Sequence, residues 1–221
     1  MSDELVLYTN PQSRGRIARW MLEEVGQPYR TELLGYGGTM KQPAFLAINP
    51  MGKVPALCHG DTVVTETAAI CTYLADAFPD SGLVPPAGDR SRAAYYRWMF
   101  FAAGPLEAAL SNRALGFVVP DDRKMMIGYG SYDDALQALE GAVTAGPYIT
   151  GDRFTAADVY VGSQIGFGLM FGTIEKRPAF EQYWARLVQR PAAGRARELD
   201  DAAAAQQAGA TQASVVQSGS G

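Results

Sequence analysis

The sequence is poor in the side chains that most often bind metals or form redox centres. Its 221 residues include one histidine, His59, and two cysteines, Cys58 and Cys71. A single histidine excludes multi-histidine metal sites, and two cysteines at this spacing form neither a CxxC pair nor a zinc ribbon. The acidic residues show no spacing typical of a metal-binding loop. We therefore expect no metal site and no bound cofactor.

Basic charge and long hydrophobic runs are scarce as well. Nineteen Lys and Arg against 23 Asp and Glu give a net charge of −4, so no basic field attracts a nucleic acid. The longest apolar stretch, Val159–Ile174, contains four glycines and is shorter than the roughly 20 residues of a membrane-spanning helix. The acidic N-terminus does not resemble an export signal. These absences predict a cytoplasmic protein with neither a nucleic-acid nor a membrane partner.

The first 80 residues alternate short apolar runs with amphipathic segments, separated by glycine and proline. Strand and helix patterns follow the order β-α-β and then α-β-β-α, which is typical of a thioredoxin-like α/β domain. The predicted strands are Glu4–Thr9, Tyr29–Leu34, Val54–Cys58 and Thr62–Val64, and the predicted helices are Arg14–Val25, Phe45–Ile48 and Glu66–Phe78.

The remaining chain shows no convincing strand pattern. Residues 81–90 are rich in proline and glycine and predict a linker, and residues 91–200 have helical periodicity, which predicts an all-helical second domain. Residues 201–221 consist mainly of Ala, Gln, Ser and Gly, which predicts a flexible tail. The predicted helices of the second domain are Ser91–Leu115, Asp121–Val143, Ala156–Phe171 and Ala179–Gln189.

The first candidate site motif runs from Tyr8 to Arg16, where a strand ends and a helix begins. This position places the Ser13 hydroxyl beside unpaired backbone N–H groups and the positive end of the helix dipole, which favours an anion. Serine is also a common helix cap, so this motif alone favours a structural role for Ser13.

The second motif is Asn49–Leu57, in which Pro55 opens a strand directly after Val54. A proline in that position forms either a cis peptide bond or an edge element, and the sequence leaves both open.

The third motif places Glu66 and Thr67 at the start of a helix. The carboxylate of Glu66 could bind an amine, while the Thr67 hydroxyl and the free N–H groups could bind a carboxylate, as an amino-acid head group requires. An ordinary acidic helix start is the simpler interpretation of the same residues.

The fourth motif, Thr155 with Asp158, is a helix capping box. We interpret it as a folding element without a catalytic role.

Together these motifs, in their order and spacing over nearly the whole chain, resemble the cytosolic glutathione S-transferase family, in particular its bacterial serine-type members. The resemblance implies a thioredoxin-like domain that binds glutathione, a helical domain that lines a pocket for a hydrophobic electrophile, and a homodimer. It also implies that Pro55 is cis, that the backbone of Val54 pairs with the cysteinyl part of glutathione, and that Glu66 and Thr67 hold its γ-glutamyl part.

The same resemblance leaves two candidates for activating the glutathione thiol. Serine-type members use a hydroxyl at the start of the first helix, which is Ser13 here, and tyrosine-type members use a residue at the end of the first strand, which is Tyr8. We favour Ser13. The hydroxyl would stabilise the thiolate without attacking the substrate itself.

Two of the four lysines flank the predicted glutathione site. Lys41 precedes the short helix where several family members place a lysine for the glycyl carboxylate, and Lys53 adjoins Val54. Both could equally be solvated surface charges.

We expect an enzyme that conjugates glutathione, its co-substrate, to small hydrophobic electrophiles. Two alternatives stay open: a glutathione-binding or interaction protein with little catalysis, and a glutathione-dependent peroxidase or isomerase.

Overall fold

The computed structural model of the chain describes residues 3–218, with the backbone alone for residues 210–218. Two compact units form: one combines the chain up to Ile70 with the segment from Pro191 onward, and the other is Cys71–Arg190. No helix in the described part of the chain is long and apolar enough to cross a membrane.

The strands are β1 Leu5–Thr9, β2 Tyr29–Leu33, β3 Ala56–His59 and β4 Thr62–Thr65. The α-helices are α1 Gly15–Val25, α2 Pro43–Leu46, α3 Thr67–Ala77, α4 Arg92–Phe101, α5 Glu107–Ala114, α6 Tyr132–Thr144, α7 Ala156–Phe171, α8 Pro178–Leu187 and α9 Pro191–Ser218.

The first unit is built on a four-stranded sheet in the order β2-β1-β3-β4. Strand β1 pairs parallel with β2 and antiparallel with β3, and β3 pairs antiparallel with β4. The centre of β1 is fully buried, as its continuous apolar pattern predicts. The thioredoxin-like arrangement expected for the N-terminal residues is therefore confirmed, as is the mostly helical C-terminal region.

Helix α9 is the largest departure from the sequence prediction. The segment predicted as a flexible tail is helical as far as Ser218, and residues 219–221 lie outside the described part. The Ala and Gln residues that suggested a tail also have high helix propensity, and Ala203 is buried. Helix α9 belongs to the first unit. The two compact units therefore differ from the two predicted domains, residues 1–80 and residues 91–200.

Two other predictions differ from the structure. The predicted helix Asp121–Val143 is a 3-10 helix at Asp121–Met126 followed by α6, because the intervening segment contains Gly128 and Gly130, and glycine weakens helices. The predicted helix Ser91–Leu115 is interrupted by a π-helical segment at Ala102–Leu106, which contains Pro105.

The second unit is organised around α7, which is buried on nearly every side. Its capping box is present, and the Asp158 carboxylate accepts hydrogen bonds from the Thr155 N–H at 2.8 Å and the Ile149 N–H at 2.8 Å. Tyr183 on α8 donates its hydroxyl to the same carboxylate at 2.7 Å. Burial raises the pKa of Asp158, and these hydrogen bonds offset part of that rise. The motif therefore joins α7, α8 and the preceding loop.

Helix α1 is joined to α9 by a buried ion pair. Arg19 Nε donates to Asp200 Oδ1 at 2.8 Å, and the two side chains are 4% and 1% exposed. Arg19 also donates to the Tyr29 hydroxyl and to Thr31 on β2. Because burying a charge is costly unless it is paired, this contact requires both partners.

We expect Asp200→Ala to lower the free energy of unfolding by about 3–5 kcal/mol, since it leaves the Arg19 guanidinium buried without its counter-charge. Urea denaturation measures this loss. The neighbouring Asp201→Ala is a matched control: Asp201 is 59% exposed in its pair with Arg16, and exposed pairs contribute about 1 kcal/mol or less. Equal losses in the two variants would contradict the importance of the buried pair.

We expect Gly15→Ala to destabilise the protein by about 1–3 kcal/mol through overpacking. A Cβ at position 15 would lie 1.9 Å from Thr9 Oγ1. That hydroxyl is buried and has no hydrogen-bond partner among the described residues, so Thr9→Ala should be mild alone. A double-mutant cycle measured by denaturation checks the prediction, which requires Thr9→Ala to recover part of the Gly15→Ala loss.

Candidate functional site

One row of paired residues brings three predicted motifs to the same edge of the sheet. Tyr8 on β1 lies opposite Ala56 on β3, and Ala56 lies opposite Thr65 on β4. At this row β1 leads into the turn before α1, β3 begins after Pro55, and β4 leads into α3. The turn containing Ser13, the Val54–Pro55 bond and the start of α3 therefore lie at one end of three adjacent strands.

The Val54–Pro55 peptide bond is cis. This outcome matches what the family resemblance implies and removes the alternative that the sequence left open. Val54 is half-buried against a cluster formed by Met40, Phe45 and Ala56. Across residues 3–218, neither the backbone N–H nor the C=O of Val54 has a hydrogen-bond partner. An extended residue with both backbone groups open can pair with a peptide as an added strand does.

The start of α3 forms the second part of this edge. Glu66 is exposed and has a φ of 67°, the left-handed conformation that favours glycine. A non-glycine residue held there costs of order 1–3 kcal/mol and is often found at a functional site. Helix α3 follows at once with Thr67, which is 8% exposed. A carboxylate, a hydroxyl and the first N–H groups of a helix thus come from two consecutive residues.

The turn before α1 holds Ser13 in a closed set of hydrogen bonds. The Ser13 hydroxyl donates to the Asn10 carbonyl at 2.7 Å and accepts the Gly15 N–H at 2.9 Å. The hydroxyl is therefore a local cap in this structure. To donate to a bound thiolate, its proton must rotate away from the Asn10 carbonyl.

Asn10 is a structural residue of this turn that the sequence analysis missed. Its side chain is buried, accepts the Gln12 N–H at 2.9 Å and donates to the Leu34 carbonyl at 2.7 Å. It thereby fixes the turn internally and joins it to the end of β2. The Asn10–Pro11 pair, a recognised turn-forming dipeptide, could have predicted this role.

Tyr8, the alternative residue for thiol activation, lies in a different environment. Its ring is half-buried and packs against Phe45, with centroids 5.7 Å apart. Burial raises the pKa of the Tyr8 phenol, so its hydroxyl stays protonated and could donate a hydrogen bond.

Both predicted lysines lie beside the Val54 segment. The Lys41 ammonium donates to the carbonyls of Met51 at 3.1 Å and Gly52 at 3.0 Å. Lys53 is exposed, and its carbonyl accepts a hydrogen bond from Asn49. The charge of Lys41 meets only carbonyl oxygens and no carboxylate in the described chain, so it is available to an anion.

Groups of three or more His, Cys, Asp or Glu side chains that could hold a metal ion are absent from the described residues. The arrangement at the sheet edge instead supplies open backbone groups, one carboxylate, hydroxyls and cations. Such a set is complementary to a short peptide with a charged amine and charged carboxylates.

Comparisons with known proteins identify the family of this chain. A model of the glutathione S-transferase N-terminal domain matches residues 14–77. Glutathione S-transferase GstA of Escherichia coli O157:H7 is 31% identical over 167 residues, which are 73% of this chain and 78% of that protein. Glutathione S-transferase 1 of Dianthus caryophyllus is 31% identical over 144 residues, and the match covers 61% of this chain and 65% of that protein's length.

Among solved structures, a sphingomonad glutathione S-transferase complexed with glutathione is similar over 89% of this chain and 98% of that chain. Its sequence identity is 28% and its TM-score is 0.71. The matched segment of the N-terminal domain model includes Val54, Pro55, Glu66 and Thr67. This chain belongs to the glutathione S-transferase family.

Proposed function

We propose that the protein is a glutathione transferase that binds glutathione at the sheet edge and transfers its thiolate to small hydrophobic electrophiles. The observation that carries this proposal is the row Tyr8–Ala56–Thr65, which gathers the three motifs at one place. Support also comes from the sphingomonad relative, which is described as complexed with glutathione.

The start of α3 binds the γ-glutamyl part of glutathione. The Glu66 carboxylate attracts the amine, while the Thr67 hydroxyl and the first N–H groups of α3 attract the α-carboxylate. The left-handed backbone at Glu66 lets one residue leave β4 and start a helix without an intervening loop. The strained backbone of Glu66 therefore places the Glu66 carboxylate and the N-terminus of α3 at the same point.

The backbone of Val54 pairs with the cysteinyl residue, since both of its polar groups are open at this edge. Lys41 and Lys53 flank that pairing and favour the negatively charged glycyl end. Because Lys41 contacts two carbonyls beside Val54, it also fixes the loop that presents the Val54 backbone.

Ser13 and the N-terminus of α1 lower the pKa of the bound thiol. A hydroxyl donor and a helix dipole both favour the thiolate over the thiol. The thiol proton leaves to solvent, and the sulfur electron pair forms the new bond to the electrophile as its leaving group departs. Ser13 donates a hydrogen bond throughout and forms no covalent bond.

We further propose a cytoplasmic homodimer. Membership of the glutathione S-transferase family supports this proposal.

A second candidate is a glutathione-binding protein with little catalysis. The hydrogen bond from Ser13 to the Asn10 carbonyl favours it, because that bond must break before Ser13 can donate to a thiolate. Retention on immobilised glutathione without turnover of activated aryl halides, isothiocyanates or peroxides would support this candidate. Formation of a glutathione conjugate would support the transferase activity, and reduction of a peroxide would support the peroxidase activity.

We expect Ser13→Ala to lower kcat by roughly tenfold or more while glutathione affinity changes little, because the lost hydrogen bond is made to the thiolate. Steady-state kinetics with an activated aryl halide and glutathione titration calorimetry measure the two effects. Tyr8→Phe is the matched control, since it also removes one hydroxyl at the same edge. Normal turnover in Ser13→Ala with a loss in Tyr8→Phe would assign thiol activation to Tyr8.

We expect Glu66→Gln to weaken glutathione binding roughly 10-fold or more, since a hydrogen bond to a charged group contributes about 1.5–3 kcal/mol. The turnover number at saturating glutathione should stay near that of the unmodified protein, because the γ-glutamyl part is remote from the sulfur. Asp61→Asn is the control: Asp61 is an exposed acid at the opposite end of β4, and its loss should not change the affinity. Equal weakening in both variants would show a nonspecific effect of charge.

A further inference from the structure

A chain of hydrogen bonds connects α9 to the turn that holds Ser13. Arg16, in the first turn of α1, donates its Nε–H to the Pro11 carbonyl at 2.5 Å. The same guanidinium donates from Nη2 to Asp201 Oδ1 on α9 at 2.7 Å. Pro11 directly follows Asn10, whose carbonyl accepts the Ser13 hydroxyl. The Asp201 carboxylate is therefore two contacts away from the backbone that sets the Ser13 side chain.

We propose that Asp201 is a positioning residue for thiol activation, which acts by holding Arg16 against the turn that carries Ser13. This inference rests on the proposed function. Nothing in the family motifs assigns a role to either residue, and the tail composition around Asp201 gave no reason to expect one.

The geometry of the guanidinium explains how a surface carboxylate can act on the turn. Arginine presents its donors in a rigid planar fork, so fixing one side of the plane fixes the direction of the others. Asp201 binds at Nη2 and thereby orients Nε–H toward the Pro11 carbonyl. Without the carboxylate, the flexible Arg16 side chain can turn toward solvent. The turn then loses the hydrogen bond from Arg16 to the Pro11 carbonyl, which joins it to the first turn of α1.

Asp201 and the neighbouring Asp200 differ in solvent exposure, and this difference distinguishes their roles. The Arg16–Asp201 side chains are 29% and 59% exposed, against 4% and 1% for Arg19–Asp200. An exposed pair contributes little to global stability, so its loss can change local order without unfolding the protein. Asp200 holds α9 on α1 and Asp201 uses that placement to reach the turn.

Two effects of removing Asp201 have opposite signs, which makes the proposal testable. Loosening the turn disorders Ser13 and raises the pKa of the bound thiol. Removing a negative charge beside Arg16 leaves the positive charge of Arg16 less neutralised and lowers that pKa. Asp201→Ala removes both the acceptor and the charge, whereas Asp201→Asn removes the charge and keeps an acceptor oxygen for Arg16.

The first experiment needs no glutathione. Hydrogen–deuterium exchange followed by mass spectrometry compares the unmodified protein, Asp201→Ala and Arg195→Gln. The control Arg195→Gln removes another α9–α1 pair, with Glu23 near the other end of α1. We expect faster exchange in peptides covering residues 10–16 in Asp201→Ala alone. Unchanged exchange there, or the same increase in both variants, overturns the proposed coupling.

The second experiment titrates the thiol of bound glutathione by the ultraviolet absorbance of its thiolate. We expect Asp201→Ala to raise the apparent thiol pKa and to lower kcat/KM roughly three- to tenfold, as for a small misplacement of a reacting group. Asp201→Asn should keep kcat/KM near that of the unmodified protein and should not raise the thiol pKa, because it removes the charge and keeps the acceptor that orients Arg16. A lowered thiol pKa in both variants would mean that Asp201 acts through its charge alone, which overturns the positioning role.

The same experiments separate a failure of this inference from a failure of the proposed function. If the unmodified protein gives no thiolate absorbance and no binding heat with millimolar glutathione, the proposed function is wrong, and thiol activation by this turn is wrong with it. If the unmodified protein binds and ionises glutathione but Asp201→Ala matches it in thiol pKa and kcat/KM, the positioning role alone is wrong.

Discussion

The pairing of β3 between β1 and β4 is the constraint on which the site depends. Because side chains alternate across a sheet, a shift of one residue in either pairing would move every side chain of β3 to the opposite face. The observed register sets Tyr8, Ala56 and Thr65 in one row. The polar groups next to that row come from turns and helix starts, so the strands act as a rigid frame for loops that carry the chemistry.

Within that frame, the turn before α1 satisfies its own polar groups internally. Ser13 has one donor and one acceptor contact in the turn, and Asn10 closes the turn to β2. A bound thiolate competes with a neutral carbonyl for the Ser13 proton, and a hydrogen bond to a charged acceptor is roughly twice as strong as one to a neutral acceptor. Ligand charge can therefore redirect the hydroxyl without a change in the fold, which reconciles the structural role of Ser13 with its proposed catalytic role.

The sequence predicted the elements that depend on local patterns. The order of strands and helices up to Ala77, the bounds of α7 and the Thr155–Asp158 capping box all follow from periodicity, capping residues and breakers. It did not choose the isomer of the Val54–Pro55 bond, because both isomers fit a proline at a strand start. The sequence also did not predict contacts between residues far apart along the chain. Arg19 and Asp200 are separated by 181 positions, and no local pattern around either residue indicates that the two form a pair.

The error over the C-terminal tail has the same cause, and it concerns function as well as fold. An Ala-rich segment has no apolar face strong enough to fold alone, and it becomes an ordered helix where a few anchors hold it. The buried pair of Asp200 with Arg19 of α1 is the main such anchor, and the exposed Asp201 next to it adds little stability. A buried charge pair makes the docking of α9 specific, since any other placement leaves an uncompensated charge. Once α9 is docked, the neighbouring exposed carboxylate reaches the first turn of α1 with little further ordering, because the same helix already holds its backbone in place.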